Sequence, residues 1–141
     1  MEIQIKKIAP SNILTILPLM VEYTKGKVHE DILKERFLEM VTQNYECIGM
    51  YYEDELIGMA GLWFMTRHYS GKSVEPDHVY IANNYRRKGL GKRFFDWIHN
   101  YAKEKGCKTS ELNTYVQNYP SHKFYYNEGY EIYGYHFYKT L

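Results

Sequence analysis

The chain has few of the features that mark secreted, membrane-bound or metal-binding proteins. It holds only two cysteines, Cys47 and Cys107, in 141 residues, and no cysteine or histidine pair has the spacing of metal ligands. This scarcity predicts free thiols and no metal site. No apolar run approaches the ~20 residues that a membrane helix needs, and the first residues lack the pattern of a signal peptide. We therefore expect a cytoplasmic protein with no membrane partner.

Charge of one sign is also scarce, since the formal net charge is only +1. A chain without a strong overall field has no general attraction for nucleic acid, so we expect no nucleic-acid partner. Linkers rich in proline, glycine or serine are absent, and so are internal repeats. A length of 141 residues suits one hydrophobic core, and the sequence predicts a single domain over residues 1–141.

Basic residues are concentrated in one stretch, NYRRKGLGKR at positions 84–93, which follows an apolar, strand-like run. Gly89 and Gly91 allow a tight turn with an unobstructed backbone. The amides that follow would form the unpaired first turn of a helix, where anions bind favourably. The same turn carries a cluster of cations: Arg86, Arg87, Lys88 and Lys92. Together these features predict a phosphate-binding turn.

Two other phosphate motifs are excluded at their defining positions. The Walker motif needs serine or threonine after its lysine, whereas Arg93 follows Lys92 here. The dinucleotide fingerprint needs a third glycine at the position of Phe94. The remaining pattern, Arg-x-x-Gly-x-Gly between a strand and a helix, resembles the acyl-CoA-binding motif of the GCN5-related N-acetyltransferase family.

A second motif lies nearer the C-terminus, where residues 118–130 read NYPSHKFYYNEGY. This stretch is similar to the family's Asn-x-x-Ala-x-x-Phe-Tyr-x-x-x-Gly-Phe segment, with Ser121 in place of the alanine and Tyr130 in place of the last phenylalanine. The two motifs occur in the family's order, separated by one predicted helix and one predicted strand. The resemblance covers residues 74–141, and the first half of the chain shares only the order of its elements.

Hydrophobic periodicity predicts alternating groups of strands and helices. Strands are predicted at residues 3–8, 45–52, 56–65, 74–82 and 110–116, with a strand-like end at 130–141 that Gly134 bends or divides. A first helix is predicted to open at Ser11, as its N-cap, and to kink or split at Pro18. Further helices are predicted at residues 29–43, 89–105 and 120–127.

This order of elements predicts an α/β (α+β by some schemes) fold with a mixed, mostly antiparallel sheet and helices on both faces. The resemblance implies in addition that the fourth and fifth strands splay apart, with acyl-CoA in the wedge between them. Gly58 and Gly61 interrupt the third strand, which indicates a bulge or a close backbone approach.

The reaction that the resemblance implies is transfer of an acetyl group from acetyl-CoA, the co-substrate, to a primary amine by direct attack through a tetrahedral intermediate. By the same analogy, Tyr125 protonates the leaving sulfur and Asn118 hydrogen-bonds the pantetheine arm. A backbone amide of the strand around Val79 and Ile81 would stabilise the oxyanion. The full set of expected cofactor-binding residues is Val79, Ile81, Arg86, Arg87, Lys88, Gly89, Leu90, Gly91, Lys92, Asn118 and Tyr125.

The general base is expected near the end of the fourth strand, where Glu75, Asp77 and His78 stand close together. Strict alternation along a strand predicts Glu75 and Asp77 on one face and His78 on the other. The two carboxylates are therefore the preferred candidates. Glu111, His122 and a water-mediated base are alternatives that the sequence leaves open.

The competing interpretation is a non-catalytic module of the same fold that binds CoA or another phosphate ligand. The presence of both Tyr125 and Asn118 favours the enzyme. The sequence does not decide whether the acceptor is a small molecule or a peptide, nor whether the acyl group is larger than acetyl. It also leaves the oligomeric state open, although homodimers are common in such families.

Overall fold

One five-stranded sheet, in the order β1-β2-β3-β4-β5, runs through the computed structural model, which describes residues 1–141. The strands are β1 (Gln4–Ile8), β2 (Tyr45–Tyr52), β3 (Glu55–Arg67), β4 (Gly71–Ile81) and β5 (Thr109–Ser110). The α-helices are α1 (Leu17–Thr24), α2 (Glu30–Met40), α3 (Leu90–Glu104) and α4 (Tyr119–Asn127). Short 3-10 helices at Pro10–Ile16 and Asn83–Tyr85 precede α1 and follow β4.

The first four strands are antiparallel to their neighbours, whereas β4 and β5 run parallel. The parallel pairing is short, because β5 is matched with β4 only at Ser73 and Val74, and the amide of Glu111 adds one bond to the Val74 carbonyl at 3.0 Å. Beyond that point β4 continues to Ile81 with no strand on that side. The predicted splaying of the fourth and fifth strands is therefore confirmed.

Helices cover both faces of the sheet, as the sequence predicts. On one face, the 3-10 segment, α1 and α2 bury Ile13, Ile16 and Phe37 against Met59 of β3. On the other face, α3 packs Leu90, Phe94, Ile98 and Ala102 against β2, β3 and β4. The spacing of those α3 residues keeps them on one side of the helix, so burying that side holds α3 against the sheet.

The first helical segment begins earlier and in a different form than predicted. Ser11 is not its N-cap, because the 3-10 turn starts at Pro10 and its N-cap is Ala9, which has no side-chain acceptor to offer. Pro18 falls in the first turn of α1, where its missing N–H is harmless. The proline thus splits the segment into a 3-10 helix and an α-helix, which is one of the two predicted outcomes.

The C-terminal strands are much shorter than predicted. The strand expected at residues 110–116 is reduced to Thr109–Ser110, and no strand forms within residues 130–141. Residues 131–141 make no backbone–backbone hydrogen bond, and the side chains of Tyr133, Tyr135 and Phe137 are exposed. A strand needs a partner for its amides and carbonyls, so an alternating aromatic pattern alone does not produce one.

Candidate active site

The last part of β4 contains a β-bulge that decides where its side chains point. Gly58 faces Ile81 and Met59 faces Tyr80, but the next matched pair is Gly61 with Asp77. Two residues of β4, His78 and Val79, therefore lie opposite the single residue Ala60 of β3, so β4 carries one extra residue. The bulge is centred on His78, whose φ of 39° lies in the left-handed region that few non-glycine residues occupy.

Because of the bulge, Asp77 and His78 lie on the same face of the sheet, the one covered by α1 and α2. The indole Nε1 of Trp63 donates to Asp77 Oδ2 at 3.0 Å. His78 packs edge-on against Phe37 of α2 and forms a 2.6 Å hydrogen bond with the Tyr45 hydroxyl. The prediction that His78 faces away from the two carboxylates is wrong, since strict alternation does not survive the extra residue.

Glu75 lies on this same face, because it is paired across the ladder with Trp63. Burial raises the pKa of Glu75, and the nearby charge of Asp77 raises it further. The positive charge of Arg67, whose Nη2 lies 3.9 Å from Glu75 Oε1, opposes this increase in the pKa. Glu75 is therefore more basic than an exposed carboxylate.

Glu111, an alternative base, is already engaged by other side chains. Arg67 Nε donates to its Oε2 and the Tyr69 hydroxyl donates to its Oε1, both at 2.7 Å. Both carboxylate oxygens of Glu111 therefore already accept a hydrogen bond from the protein. His122, the other alternative, contacts the backbone carbonyl of Tyr115 at 2.9 Å through Nε2.

Helix α1 brings two residues to this region that the sequence analysis missed, Glu22 and Tyr23. Glu22 Oε1 accepts hydrogen bonds from the Tyr80 hydroxyl at 2.8 Å and from the Asn83 amide at 3.2 Å. The Tyr23 ring meets the Tyr80 ring edge-on at 5.5 Å. Nothing in the local sequence of α1 indicates that these two residues contact β4, because the contact depends on how the helix crosses the strand.

Tyr125 lies on the side of α4 that packs against α3. Its ring packs against Phe95 of α3 at 5.8 Å and Tyr130 at 5.9 Å, and its hydroxyl makes no hydrogen bond to the protein. Burial raises the pKa of Tyr125. Burial also raises the pKa of Tyr23, and Asp77, Tyr125 and Tyr115 add to that increase electrostatically. Tyr23 of α1, Asp77 of β4 and Tyr125 of α4 are therefore near enough for their charges to influence the titration of Tyr23.

Tyr130 stands where the family motif has phenylalanine, and its hydroxyl links the end of α4 to the neighbouring elements. The hydroxyl lies 2.8 Å from His99 Nε2 of α3 and 2.6 Å from Ser110 Oγ of β5. The substitution thus adds two hydrogen bonds that join the end of α4 to α3 and to β5.

The turn after β4 has the form that the phosphate prediction requires. Gly89 is the N-cap of α3 with φ of 72°, and no side chain caps the helix. The first helical hydrogen bond comes from Arg93, so the amides of Leu90, Gly91 and Lys92 have no partner within the helix. A Cβ added at Gly89 would meet no atom within 4 Å, so the space around this turn is open.

The predicted phosphate-binding cations fall into two groups. Arg86 donates through Nε to the Ile81 carbonyl at 3.2 Å and lies over the Tyr80 ring, while Lys92 pairs with Asp96 at 3.2 Å and Glu128 at 3.7 Å. Arg87 and Lys88 are exposed and form no ion pair. The structure thus leaves Arg87 and Lys88 as the cations free to contact a ligand.

The remaining residues that were predicted to bind the cofactor can offer it either backbone groups or one polar side chain. The side chains of Val79, Ile81 and Leu90 pack into the core beside α3, so these residues could contribute only backbone groups. Asn118 is exposed at the N-cap position of α4, where its side chain makes no capping hydrogen bond. The side-chain amide of Asn118 is therefore free for another partner.

Comparison with known proteins identifies this arrangement. A family model described as the acetyltransferase (GNAT) family matches residues 14–130. The chain belongs to this family. It is therefore an acetyl-CoA-dependent N-acetyltransferase, with acetyl-CoA as co-substrate, as the two motifs predict. No helix of this acetyltransferase has the length and apolar content needed to cross a membrane.

Three individual proteins that resemble this acetyltransferase share no more than 29% of their aligned residues with it. A spermine/spermidine N(1)-acetyltransferase of Bacillus subtilis is 29% identical over 95% of this chain and 91% of its own length. An aminoalkylphosphonate N-acetyltransferase of Salmonella typhimurium is 26% identical over 62% of this chain and 57% of its own length. Among solved structures, AAC(6')-Iy in complex with a CoA bisubstrate analogue superposes with a TM-score of 0.83 at 16% identity, covering 100% of this chain and 99% of that one.

The first prediction concerns the two free cations of the phosphate turn. Replacing both, as Arg87→Glu with Lys88→Glu, should weaken CoA binding at least about tenfold, because each loses a phosphate contact and gains a repulsion. Isothermal titration with CoA measures the change in Kd.

The control for this variant is Lys103→Glu with Lys108→Glu. It changes the net charge equally, but Lys103 lies at the far end of α3, roughly 20 Å from the turn at 1.5 Å per helical residue. Equal loss of CoA affinity in both double variants would contradict a phosphate site at Arg87 and Lys88.

The second prediction follows from the burial of His78, which lowers its pKa from 6.5 to about 4. The unfolded chain therefore binds this proton more readily, and the stability present above pH 6.5 is lost as the pH falls toward 4. We expect this group to lower the free energy of unfolding by about 3 kcal/mol between pH 7 and pH 4. Urea unfolding at both pH values should show a smaller pH effect in His78→Asn, and an identical effect in both proteins would contradict the burial.

Proposed function

We propose that the acceptor of this acetyltransferase is an aliphatic polyamine. The observation that carries the proposal is the acidic, aromatic surface where α1 meets β4. Glu22, Glu75 and Asp77 supply carboxylates there, and Tyr23 and Trp63 supply rings beside them. Carboxylates and aromatic faces both attract a chain of ammonium groups. The name of the Bacillus subtilis relative, a spermine/spermidine N(1)-acetyltransferase, supports the same acceptor class.

The two carboxylates of β4 are proposed to have different tasks. Both oxygens of Asp77 already accept hydrogen bonds, Oδ1 from the His78 amide at 2.8 Å and Oδ2 from the Trp63 indole. Because these two donors hold it in place, the Asp77 carboxylate is suited to binding a cationic group of the acceptor. Glu75, whose pKa is raised by burial and by Asp77, is better suited to removing the proton from the attacking amine.

In the proposed reaction the deprotonated amine attacks the thioester carbonyl, and a backbone amide around Val79 and Ile81 stabilises the oxyanion. Collapse of the tetrahedral intermediate breaks the bond between carbon and sulfur. Tyr125 then gives its proton to the sulfur, and the proton that the new amide nitrogen loses restores the Tyr125 hydroxyl. Because burial raises the pKa of Tyr125, its hydroxyl keeps the proton at physiological pH until the thiolate leaves.

Cofactor binding is proposed to use the groups that the fold leaves unpaired. The amides of Gly91 and Lys92 and the side chains of Arg87 and Lys88 would hold the phosphates. The free amide of Asn118 would bind the pantetheine arm between α4 and β4.

We also propose that the enzyme is a cytoplasmic homodimer. Its two cysteines are unpaired, which suits a reducing compartment. Residues 131–141 expose several aromatic side chains, and a second copy of the chain would cover them.

The third prediction tests the role of Tyr125. Tyr125→Phe should lower kcat about a hundredfold while leaving the KM for acetyl-CoA nearly unchanged, because the ring packing remains and only the proton donor is lost. Steady-state release of CoA thiol measures both constants. The matched control is Tyr126→Phe on the more exposed side of α4, which should retain wild-type kcat. Similar kcat values in the two variants would exclude Tyr125 as the acid.

The fourth prediction tests the acceptor. Among spermidine, spermine, putrescine, an aminoalkylphosphonate, an aminoglycoside and an N-terminal peptide, the polyamines should give the highest kcat/KM. The aminoalkylphosphonate should be the poorest small acceptor, because the carboxylates repel its negative charge. Asp77→Asn should reduce kcat/KM for spermidine about tenfold or more and have less effect on a simple monoamine. A preference for the anionic acceptor would refute the proposal.

A further inference from the structure

His78 is held inside the protein by a set of contacts that the reaction itself does not explain. The residue is only 6% exposed, and Nε2 forms the 2.6 Å hydrogen bond with the hydroxyl of Tyr45, which reaches across β3 from β2 on the same face. The Phe37 ring of α2 lies edge-on at 5.3 Å. His78 Nδ1 is buried without a hydrogen-bond partner.

Gly61 of β3 provides the space for this histidine. A Cβ added at Gly61 would lie 2.1 Å from His78 Nε2 and 2.8 Å from Tyr45 Cε2, which is closer than real atoms approach. The absence of a side chain at Gly61 therefore permits the hydrogen bond between Tyr45 and His78. The close backbone approach that the sequence predicts at this glycine has a specific partner in the structure.

The conformation of His78 is unfavourable in itself. A left-handed φ of 39° and a buried nitrogen without a partner each lower stability. Residues keep such conformations only where the surrounding structure imposes them, and they cluster at functional sites. Here the imposing contacts come from β2, β3 and α2 together.

We propose that His78 is a positioning residue, held by Tyr45 in the space beside Gly61, that fixes the β4 bulge and so orients the Asp77 carboxylate toward the acceptor amine. The connection is direct, because the His78 amide donates to Asp77 Oδ1 at 2.8 Å. The Trp63 indole holds the other oxygen at 3.0 Å. A change in the His78 backbone therefore moves one of the two bonds that aim the carboxylate.

This inference rests on the proposed role of Asp77 in holding the acceptor. Release of the Tyr45 hydroxyl from His78 would let the bulge relax and leave the Asp77 carboxylate free to rotate about its Trp63 contact. The phosphate turn lies beyond Ile81 on the same strand and keeps its own contacts. The reaction with the acceptor should therefore be impaired, whereas the affinity for CoA should not change.

The test compares Tyr45→Phe with Tyr101→Phe in the full chain. Each removes one phenolic hydroxyl from the sheet region, and the control hydroxyl donates to Glu46, away from β4. Tyr45→Phe should lower kcat/KM for spermidine about tenfold and keep the Kd for CoA within twofold. Tyr101→Phe should leave both values unchanged, even where the two variants lose similar thermal stability.

Two further measurements separate positioning from simple destabilisation. In an Asp77→Asn background, Tyr45→Phe should have no additional effect on kcat/KM, because the group being oriented is already changed. In proton–nitrogen spectra the indole N–H resonance of Trp63 should shift in Tyr45→Phe, while that of Trp97 stays in place. A full tenfold loss in the Asp77→Asn background, or an unchanged Trp63 resonance, would overturn the proposal.

The spectroscopic result also separates this proposal from the proposed acceptor. If no polyamine is acetylated but the Trp63 resonance shifts, the acceptor assignment fails and the coupling between His78 and Asp77 stands. Gly61→Ala provides a second route to the same change, because the new methyl group must displace His78. A folded Gly61→Ala protein with wild-type kcat/KM and an unchanged Trp63 resonance would contradict the coupling.

Discussion

The site depends on one irregularity in β4, the extra residue at His78. A regular strand would send Asp77 and His78 to opposite faces, leaving one carboxylate near α1 and the imidazole near α3. The bulge places both on the face covered by α1 and α2, where Trp63 and Tyr45 bind them. Burial against two helices then makes this arrangement stable, even though His78 adopts a left-handed conformation.

The same strand also organises the cofactor side. Because β5 follows β4 only as far as Val74, the end of β4 has a free edge, and the chain leaves it through a turn with unpaired amides. Helix α4 then packs Tyr125 against Phe95 of α3, and the Tyr130 hydroxyl joins the end of α4 to α3 and β5. One strand thus connects the carboxylates of the α1 face, the free edge beside β5 and the turn with unpaired amides.

Local motifs made much of this predictable. The glycine turn after β4, α3 and α4 follow from glycine positions, helical spacing and the Asn-to-Tyr segment, and each lies where the sequence predicts. The bulge does not follow from local sequence, because the φ of His78 is imposed by Tyr45 and Gly61 on other strands. Glu22 and Tyr23 were missed for the same reason. The C-terminal strands were overpredicted, because residues 131–141 have a strand-like pattern but no partner for their backbone.

The central claim is that the divergence of β4 from β5 places a thioester between Tyr125 and the carboxylates of β4. A crystal structure with a bisubstrate analogue, in which CoA sulfur is linked to a polyamine, tests it most directly. The account predicts the sulfur within hydrogen-bonding distance of the Tyr125 hydroxyl and the polyamine nitrogens beside Asp77 and Glu75. A sulfur remote from Tyr125, or a polyamine chain leaving on the α3 side of the sheet, would contradict it.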